Sequence, residues 1–375
     1  MLHLSSFSNL TMSLLCFLLL FICFFFPPQW FDEGKLVKKD GAVVADLSEH
    51  NLGICVLLKS DGAGLYATKD IALAKHKFDS YKIDKSIYIV DAAQTHHFQQ
   101  VFKVLQLCGY EQAKKCVHIP YGVVVLPSGR MSSRKGNVLL FSQLKREMER
   151  VLNEKFNKNN TLSPEAIRRV AVASIKYGML NHDTAKDIVF EMDKWTNNTG
   201  NTGPYLMYAF ARINSILVAR ESYDGPKFDF VRALLAFTTT TGVALTQEQI
   251  MADFVTGDEK TRFDFRKFIT TPAGVAFKSA VDFNKYLTEP TERAVLLHMS
   301  RFWAVIEQAT AANNPSPVCD FGFAMAQSFS SWYEVVRLTA VAPEALPTKV
   351  VFIQAIAIML ERVLYVLGIT SIERM

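Results

Sequence analysis

Three short segments hold residue types whose spacing could do chemistry. Arg130-Met131-Ser132-Ser133-Arg134-Lys135-Gly136-Asn137 places three cations and two hydroxyls around a glycine. Such a loop can wrap a triphosphate: its cations offset charge on the α-phosphate and the departing pyrophosphate, while backbone N–H groups supply directed hydrogen bonds. Composition alone fits a solvated basic turn as well. In Ser60-Asp61-Gly62-Ala63-Gly64-Leu65-Tyr66-Ala67-Thr68-Lys69-Asp70, an aromatic and a carboxylate stand at i and i+4. They share a face if a helix begins there. In Tyr88-Ile89-Val90-Asp91-Ala92-Ala93-Gln94-Thr95-His96-His97-Phe98, an apolar strand delivers a polar cluster at its C-terminal end, where open α/β sheets bind ligands. Each residue also has an ordinary structural reading, Asp91 as the cap of a following helix and His96 or His97 as a surface or core histidine.

The elements that must position these residues change character along the chain. Residues 52 to 58 (LGICVLL), 86 to 91 (SIYIVD) and 121 to 126 (YGVVVL) are Val- and Ile-rich runs separated by helix-length segments, the pattern of buried parallel strands. From about residue 142 the apolar period becomes 3.6, with Leu144, Met148, Val151, Leu152 and Phe156 as one stripe. Ser163-Pro164-Glu165 is an N-cap and first turn for a helix to about Leu180. Gly203-Pro204 opens another to about Arg220, and 292 to 313, 322 to 340 and 348 to 367 read as three more, the last stopped by Gly368. The Thr-rich stretch at 238 to 241 and the polar segment to about 272 read as an insertion or loop. The expected fold is an incomplete α/β nucleotide-binding part, Rossmann-like with a parallel sheet, followed by an all-α helical bundle.

Composition bounds the function classes. Half of the 375 residues are hydrophobic and 21% are charged, which excludes a disordered tail and a collagen-like repeat. The net charge of +5 is uneven: residues 101 to 160 hold 11 Lys and Arg against 4 Glu and no Asp. A polyanion or phosphate is expected near that stretch. The cysteines Cys16, Cys23, Cys55, Cys108, Cys116 and Cys319 form no C-x-x-C pair, so neither a zinc knuckle nor a disulfide framework is indicated and a reducing compartment fits. Leu14 to Phe26 runs without a polar side chain up to Pro27-Pro28. Thirteen apolar residues fall short of the roughly 20 that span a bilayer. No Lys or Arg precedes them and no small-residue cleavage site follows. An uncleaved anchor or leader, a buried helix, and a translated non-coding stretch or wrong start site all remain open. The last is favoured because residues 32 to 60 read as the middle of an enzyme domain.

Taken in order, LKSDGAGLYATKDIALAKHKF, YIVDAAQTHHFQQVFKVL, MSSRKGNV and NTGPYLMYAFARINSIL, with the ending GITSIERM, resemble the cytosolic-type arginyl-tRNA synthetases, a family of class I aminoacyl-tRNA synthetases. The resemblance covers nearly all of residues 32 to 225 and, more loosely, the remainder. It implies ATP-dependent activation of arginine and transfer to tRNA-Arg, with Mg2+ carried by the nucleotide, no metal site of its own, a monomer and a cytoplasmic location. By position it assigns Tyr66, Asp70 and Gln94 to the arginine substrate. Asp91, His97 and Phe98 border the ATP site, and Met131, Ser132, Ser133, Arg134 and Lys135 belong to the KMSKS-type loop, with Arg130 in place of its first lysine. Tyr205, Tyr208 and Arg212 are assigned to tRNA. A carboxylate suits a guanidinium because it accepts two parallel hydrogen bonds. The related cysteinyl-tRNA synthetases select their amino acid with zinc, for which no suitable Cys/His set exists here.

The resemblance also shows departures. The family's H-x-G-H signature occurs nowhere in the sequence; His50-Asn51-Leu52-Gly53 is the nearest segment. The DALR tetrapeptide that names the helical domain is not intact. The expected layout is therefore 1 to 30 a hydrophobic leader or gene artefact, 31 to 142 the C-terminal half of a class I catalytic domain, 143 to 203 a helical connection, and 204 to 375 a DALR-type anticodon-binding domain. Little or no aminoacylation by the polypeptide alone is expected, because an entire lobe of preorganised contacts is missing, and the edges of an incomplete sheet invite aggregation. The competing expectations are a non-catalytic RNA-binding fragment and a membrane-anchored protein held through residues 10 to 26.

Overall fold

The computed structural model describes residues 28–130, 139–159, 162–217, 230–240, 242, 245–256, 262–373 and 375. The apolar run Leu14 to Phe26, the loop Met131 to Gly136 and Arg220 lie outside them. Two compact units are present: residues 1–123 with 184–187, and residues 124–183 with 188–375.

In the first unit, helix α1 (Pro28–Asp32) precedes an antiparallel meander of β1 (Val37–Lys39), β2 (Ala42–Asp46) and β3 (Ile54–Leu58). Asp40 and Gly41 both have positive φ, as a two-residue I′ hairpin requires. The run 52 to 58 is therefore antiparallel rather than parallel, and the overlooked signal was the Asp-Gly pair between short apolar runs. Ser48–His50 is a 3-10 turn closing on left-handed Asn51, so His50-Asn51-Leu52-Gly53 joins two antiparallel strands and opens no helix. Helix α2 (Tyr66–Tyr81) packs on β3 through Ala67, Ile71 and Ala74. Strand β4 (Ser86–Asp91) then pairs in parallel with β5 (Cys116–Tyr121), and α3 (Thr95–Leu107) forms the crossover between them. The α3 stripe Phe98, Val101, Val104 and Leu105 is buried, as a one-faced amphipathic crossover helix demands.

The run 121 to 126 is two strands rather than one. Gly122 donates its N–H to Thr184 O (2.8 Å), and a Cβ there would stand 2.1 Å from Lys186 O. Only glycine tolerates that approach. Val123 N donates to Asp187 Oδ1 (2.8 Å), and the chain leaves the first unit.

The second unit begins with β6 (Val124–Leu126), antiparallel to β7 (Gly129–Arg130) and parallel to β8 (Ile188–Val189). Helix α4 (Phe141–Phe156) buries Leu144, Met148 and Leu152 of the expected stripe. Helix α5 (Pro164–Leu180) starts where expected, with Ser163 Oγ accepting from Ala166 N. After α6 (Met192–Trp195), α7 spans Gly203–Ile216. The expected loop at 238 to 272 instead holds the end of α8 (Phe230–Thr240), α9 (Gln247–Phe254), a hairpin of β9 (Val255–Thr256) with β10 (Arg262–Phe263), and α10 (Phe265–Phe268). Its Phe254, Phe263 and Phe268 are buried, as are Phe230 and Phe237 just before it, and spaced aromatics among polar residues hid that core from a periodicity reading.

Helices α11 (Pro272–Ser279) and α12 (Phe283–Tyr286) lead to α13 (Pro290–Ser300) and α14 (Phe302–Ala312). These are two helices where one was expected over 292 to 313, divided at Arg301. Helix α15 (Ser316–Val335) begins earlier than residue 322 and ends before 340, and α16 (Leu346–Val366) closes the bundle. The α16 terminus is a Schellman cap: Gly368 has φ +66°, its N–H bonds Tyr365 O, and Ile369 N bonds Leu364 O (2.8 Å). One contiguous apolar core runs from Leu144 to Ile372.

Candidate active site

The polar residues of the first unit gather where α2 and α3 begin. The turn into α2 is built by Asp61 Oδ1 accepting from Ala63 N (2.9 Å) and by Gly62 at φ +81°. Leu65 N then bonds Leu57 O (3.0 Å), and Thr68 Oγ donates to the same carbonyl (2.5 Å). These bonds fix the first turn of α2 against β3. Tyr66, its first residue, is 79% exposed, and Asp70 follows one turn later.

At the end of β4, Asp91 Oδ1 accepts from Ala93 N (2.7 Å) and caps the 3-10 turn Ala92–Gln94 that leads directly into α3. Asp91 thus fills the capping role open to it from sequence. His97, on the first turn of α3, places Nε2 2.7 Å from Asp70 Oδ2. This contact spans 27 residues and has no local signal in the sequence. Both side chains keep part of their surface in solvent. Gln94 is exposed at the same helix end, and His96 points outward as well. No hydrogen bond joins Gln94 to Tyr66 or Asp70 among the described residues, yet none of the three enters the apolar interior.

Phe98 behaves differently. It is 5% exposed, stacks on His118 (4.9 Å, 25°) and packs against Tyr88 and Phe102. His118 Nε2–H donates to Val90 O (3.2 Å), so the ring stack is tied to the parallel strands. Phe98 supports the turn that carries His97. Burial raises the Tyr88 hydroxyl pKa, and Lys77 Nζ stands 4.1 Å above the Tyr88 ring centroid. The loop residues Met131, Ser132, Ser133, Arg134 and Lys135 lie outside the described residues; Arg130 ends β7.

In the helical unit, the segment NTGPY is a packing device. A Cβ on Gly203 would stand 2.6 Å from Ala173 O, which forces glycine where α7 meets α5. Asn201 Oδ1 accepts from the Tyr177 hydroxyl, its Nδ2 donates to Asp320 Oδ1 (3.2 Å), and its carbonyl accepts from Asn181 Nδ2 (3.0 Å). Asn201 therefore ties α5 and α15 together beside the start of α7. Tyr205 is half-buried, edge-on to Phe323 (5.4 Å); Tyr208 is exposed; and the Arg212 guanidinium lies 4.7 Å above the Tyr333 ring. Among the described residues, no group of three or more His, Cys, Asp or Glu could hold a metal ion. Likewise, no described helix is long and apolar enough to cross a membrane.

A parallel β–α–β crossover with polar residues at its strand end, followed by a helical bundle, defines an incomplete Rossmann-like catalytic region with a C-terminal helical domain. Known proteins give this class a family. Residues 29–192 match the profile of the class I (R) tRNA synthetase catalytic domain, and residues 269–375 that of the DALR anticodon binding domain. An arginine–tRNA ligase of Bdellovibrio bacteriovorus is 34% identical over 92% of this chain and 52% of its own length. One from Clostridium perfringens is 30% identical over 91% of this chain and 52% of its own. The solved arginyl-tRNA synthetase of Thermus thermophilus has the same fold over 91% of this chain and 56% of that chain, with a TM-score of 0.67 at 21% identity. The chain is a homologue of the arginyl-tRNA synthetases and spans about half the length of the curated relatives it matches.

Proposed function

We propose that the chain supplies the arginine-recognising rim and the tRNA-side helical domain of an arginine–tRNA ligase. In that reaction the arginine carboxylate attacks the α-phosphate of ATP to give arginyl-adenylate and pyrophosphate, and the arginyl group then passes to the terminal ribose of tRNA-Arg. Magnesium arrives with the nucleotide. The observation that supports the reading best is Asp70, a partly exposed carboxylate one helical turn from exposed Tyr66, with His97 on Oδ2. A carboxylate so placed takes a guanidinium through charge-assisted hydrogen bonds, and the tyrosine ring offers a face to the same cation.

Asp91, Gln94 and His97 run from the last residue of β4 to the first turn of α3, at the strand end that is the usual ligand position of an open α/β sheet. Phe98 acts through that turn, from the apolar side. Met131 to Lys135 would close over the triphosphate. Tyr208 and Arg212 share one face of α7 and are the tRNA-side residues of the proposal; Tyr205 supports them through its Phe323 contact. A monomer working in the cytoplasm completes the reading.

Equilibrium dialysis of labelled L-arginine and gel-shift of tRNA-Arg against the purified chain test the two halves separately. The expected result is saturable binding of both, with lysine failing to displace arginine. A chain that binds neither overturns the reading. Charging of tRNA-Arg by the chain alone is expected to be absent or slow, since removing even one preorganised donor costs about a hundredfold or more.

A further inference from the structure

The Asp70 carboxylate is held from one side only. His97 Nε2 lies 2.7 Å from its Oδ2, and a carboxylate can only accept, so that nitrogen carries the proton and His97 is the donor. Among the described residues, Oδ1 has no hydrogen-bond partner. The two side chains are 27% and 26% exposed, so most of each is withdrawn from water, and the bond is stronger than one between solvated surface groups. The imidazole is itself fixed by its neighbours. It stands edge-on to Phe98 (5.3 Å, 79°), Phe98 stacks on His118 (4.9 Å, 25°), and His118 Nε2–H donates to Val90 O (3.2 Å). An unbroken line of contacts therefore runs from the paired strands β4 and β5, across α3, to a carboxylate on α2.

We infer that His97 is a positioning residue for arginine recognition, holding the Asp70 carboxylate in the orientation that accepts a guanidinium. The inference rests on the proposed role of Asp70. It gives His97 a task on the amino-acid side, in addition to the ATP border that the resemblance assigned to it. A carboxylate offers about four lone-pair positions and a guanidinium fork uses two of them. With His97 on Oδ2, the fork finds Oδ1 open and the carboxylate plane already set. Without that bond the Asp70 side chain turns about its torsions, and ordering it again falls on the ligand as lost affinity. Citrulline feels that loss less, because its neutral urea group makes a weaker bond to the carboxylate than a cation does.

Equilibrium dialysis of labelled L-arginine against the purified full chain, with unlabelled L-citrulline as competitor, tests this through substitutions at His97. His97→Leu is expected to weaken arginine about 2- to 10-fold, the effect of freeing one ordered side chain, and citrulline less. His97→Gln keeps a side-chain N–H at similar reach and is expected to bind arginine within about twofold of the native chain. In an Asp70→Asn background, His97→Leu is expected to change nothing further, because the two residues act as one unit and their effects do not add. If His97→Leu lowers the urea midpoint, His97→Asn takes its place: its shorter amide cannot reach Oδ2, so arginine should weaken although a donor remains. Native affinity in both His97→Leu and His97→Asn overturns the inference and leaves the proposed function standing. The same follows from an equal loss of arginine and citrulline, from a His97→Gln chain as weak as His97→Leu, or from a loss that persists in the Asp70→Asn background. A native chain that binds no arginine overturns the proposed function, and the inference falls with it.

Discussion

The two units of the chain bury their residues in different ways. The helical unit has one apolar core from Leu144 to Ile372, and a buried ion pair, Glu292 with Lys349, sits in the same unit. Glu292, fully buried, accepts from the Trp332 indole N–H (3.1 Å), from Lys349 Nζ and, as part of the α13 capping box, lies 3.2 Å from Glu289 N. The α/β unit has two smaller apolar clusters, one sheet face open to solvent, and its polar candidates at a rim. A region that completes its own core can serve as a scaffold. The other keeps apolar strand surface, Ile87 and Ile89, in contact with solvent.

The sharpest way to break this contrast is at the buried ion pair. Lys349→Met leaves the Glu292 carboxylate without its cation, and losing one partner of a buried pair costs about 3–5 kcal/mol. Urea unfolding of the helical unit should show that loss, and Glu292→Gln in the same chain should restore more than half of it. Equal stability of the single and double variants contradicts the packing account. In the α/β unit the largest effect is expected from Phe98→Ala, at about 3 kcal/mol for deleting a buried ring. The readout is proteolysis of the first unit, with the helical unit unaffected.

How much of this was legible in the sequence follows from how local each signal is. The α5 start was readable because Ser163, Pro164 and Glu165 are adjacent cap residues, and the α4 stripe because a 3.6 period repeats within a few turns. The shared face of Tyr66 and Asp70 was readable for the same reason. Strand partners were not: β3 joins an antiparallel meander and β4 a parallel pair, although both read as apolar Val/Ile-type runs. The Asp70–His97 contact depends on where α2 and α3 meet in space, and the break at Gly122 on a backbone segment more than sixty residues further along the chain. The roles of Tyr66, Asp70, Gln94 and the loop at 131 to 135 came from resemblance, and chemistry alone gave them ordinary alternatives.

Buried thiols give a smaller effect shared by both units. Burial pushes Cys319 in the helical unit and Cys108 in the α/β unit up to about 12, from an ordinary 9.0, and raises Tyr177 as well. The unfolded chain therefore loses these protons first as pH rises. The stability they contribute is full below about pH 9 and is lost towards about pH 12. Cys319→Ala should flatten the urea midpoint against pH for the helical unit only, and Cys108→Ala for the α/β unit only. A profile changed in both units by one substitution would contradict their independence.

The central claim is that Asp70 recognises a guanidinium, and competition between L-arginine and L-citrulline measures it directly. Citrulline has nearly the same shape but a neutral urea group, so the difference reports the carboxylate. A charge-assisted hydrogen bond is worth about 1.5–3 kcal/mol, which predicts a preference for arginine of about 10- to 150-fold in the native chain and near parity in Asp70→Asn, with the urea midpoint of both proteins unchanged. An Asp70→Asn chain that keeps the full preference for arginine contradicts the account.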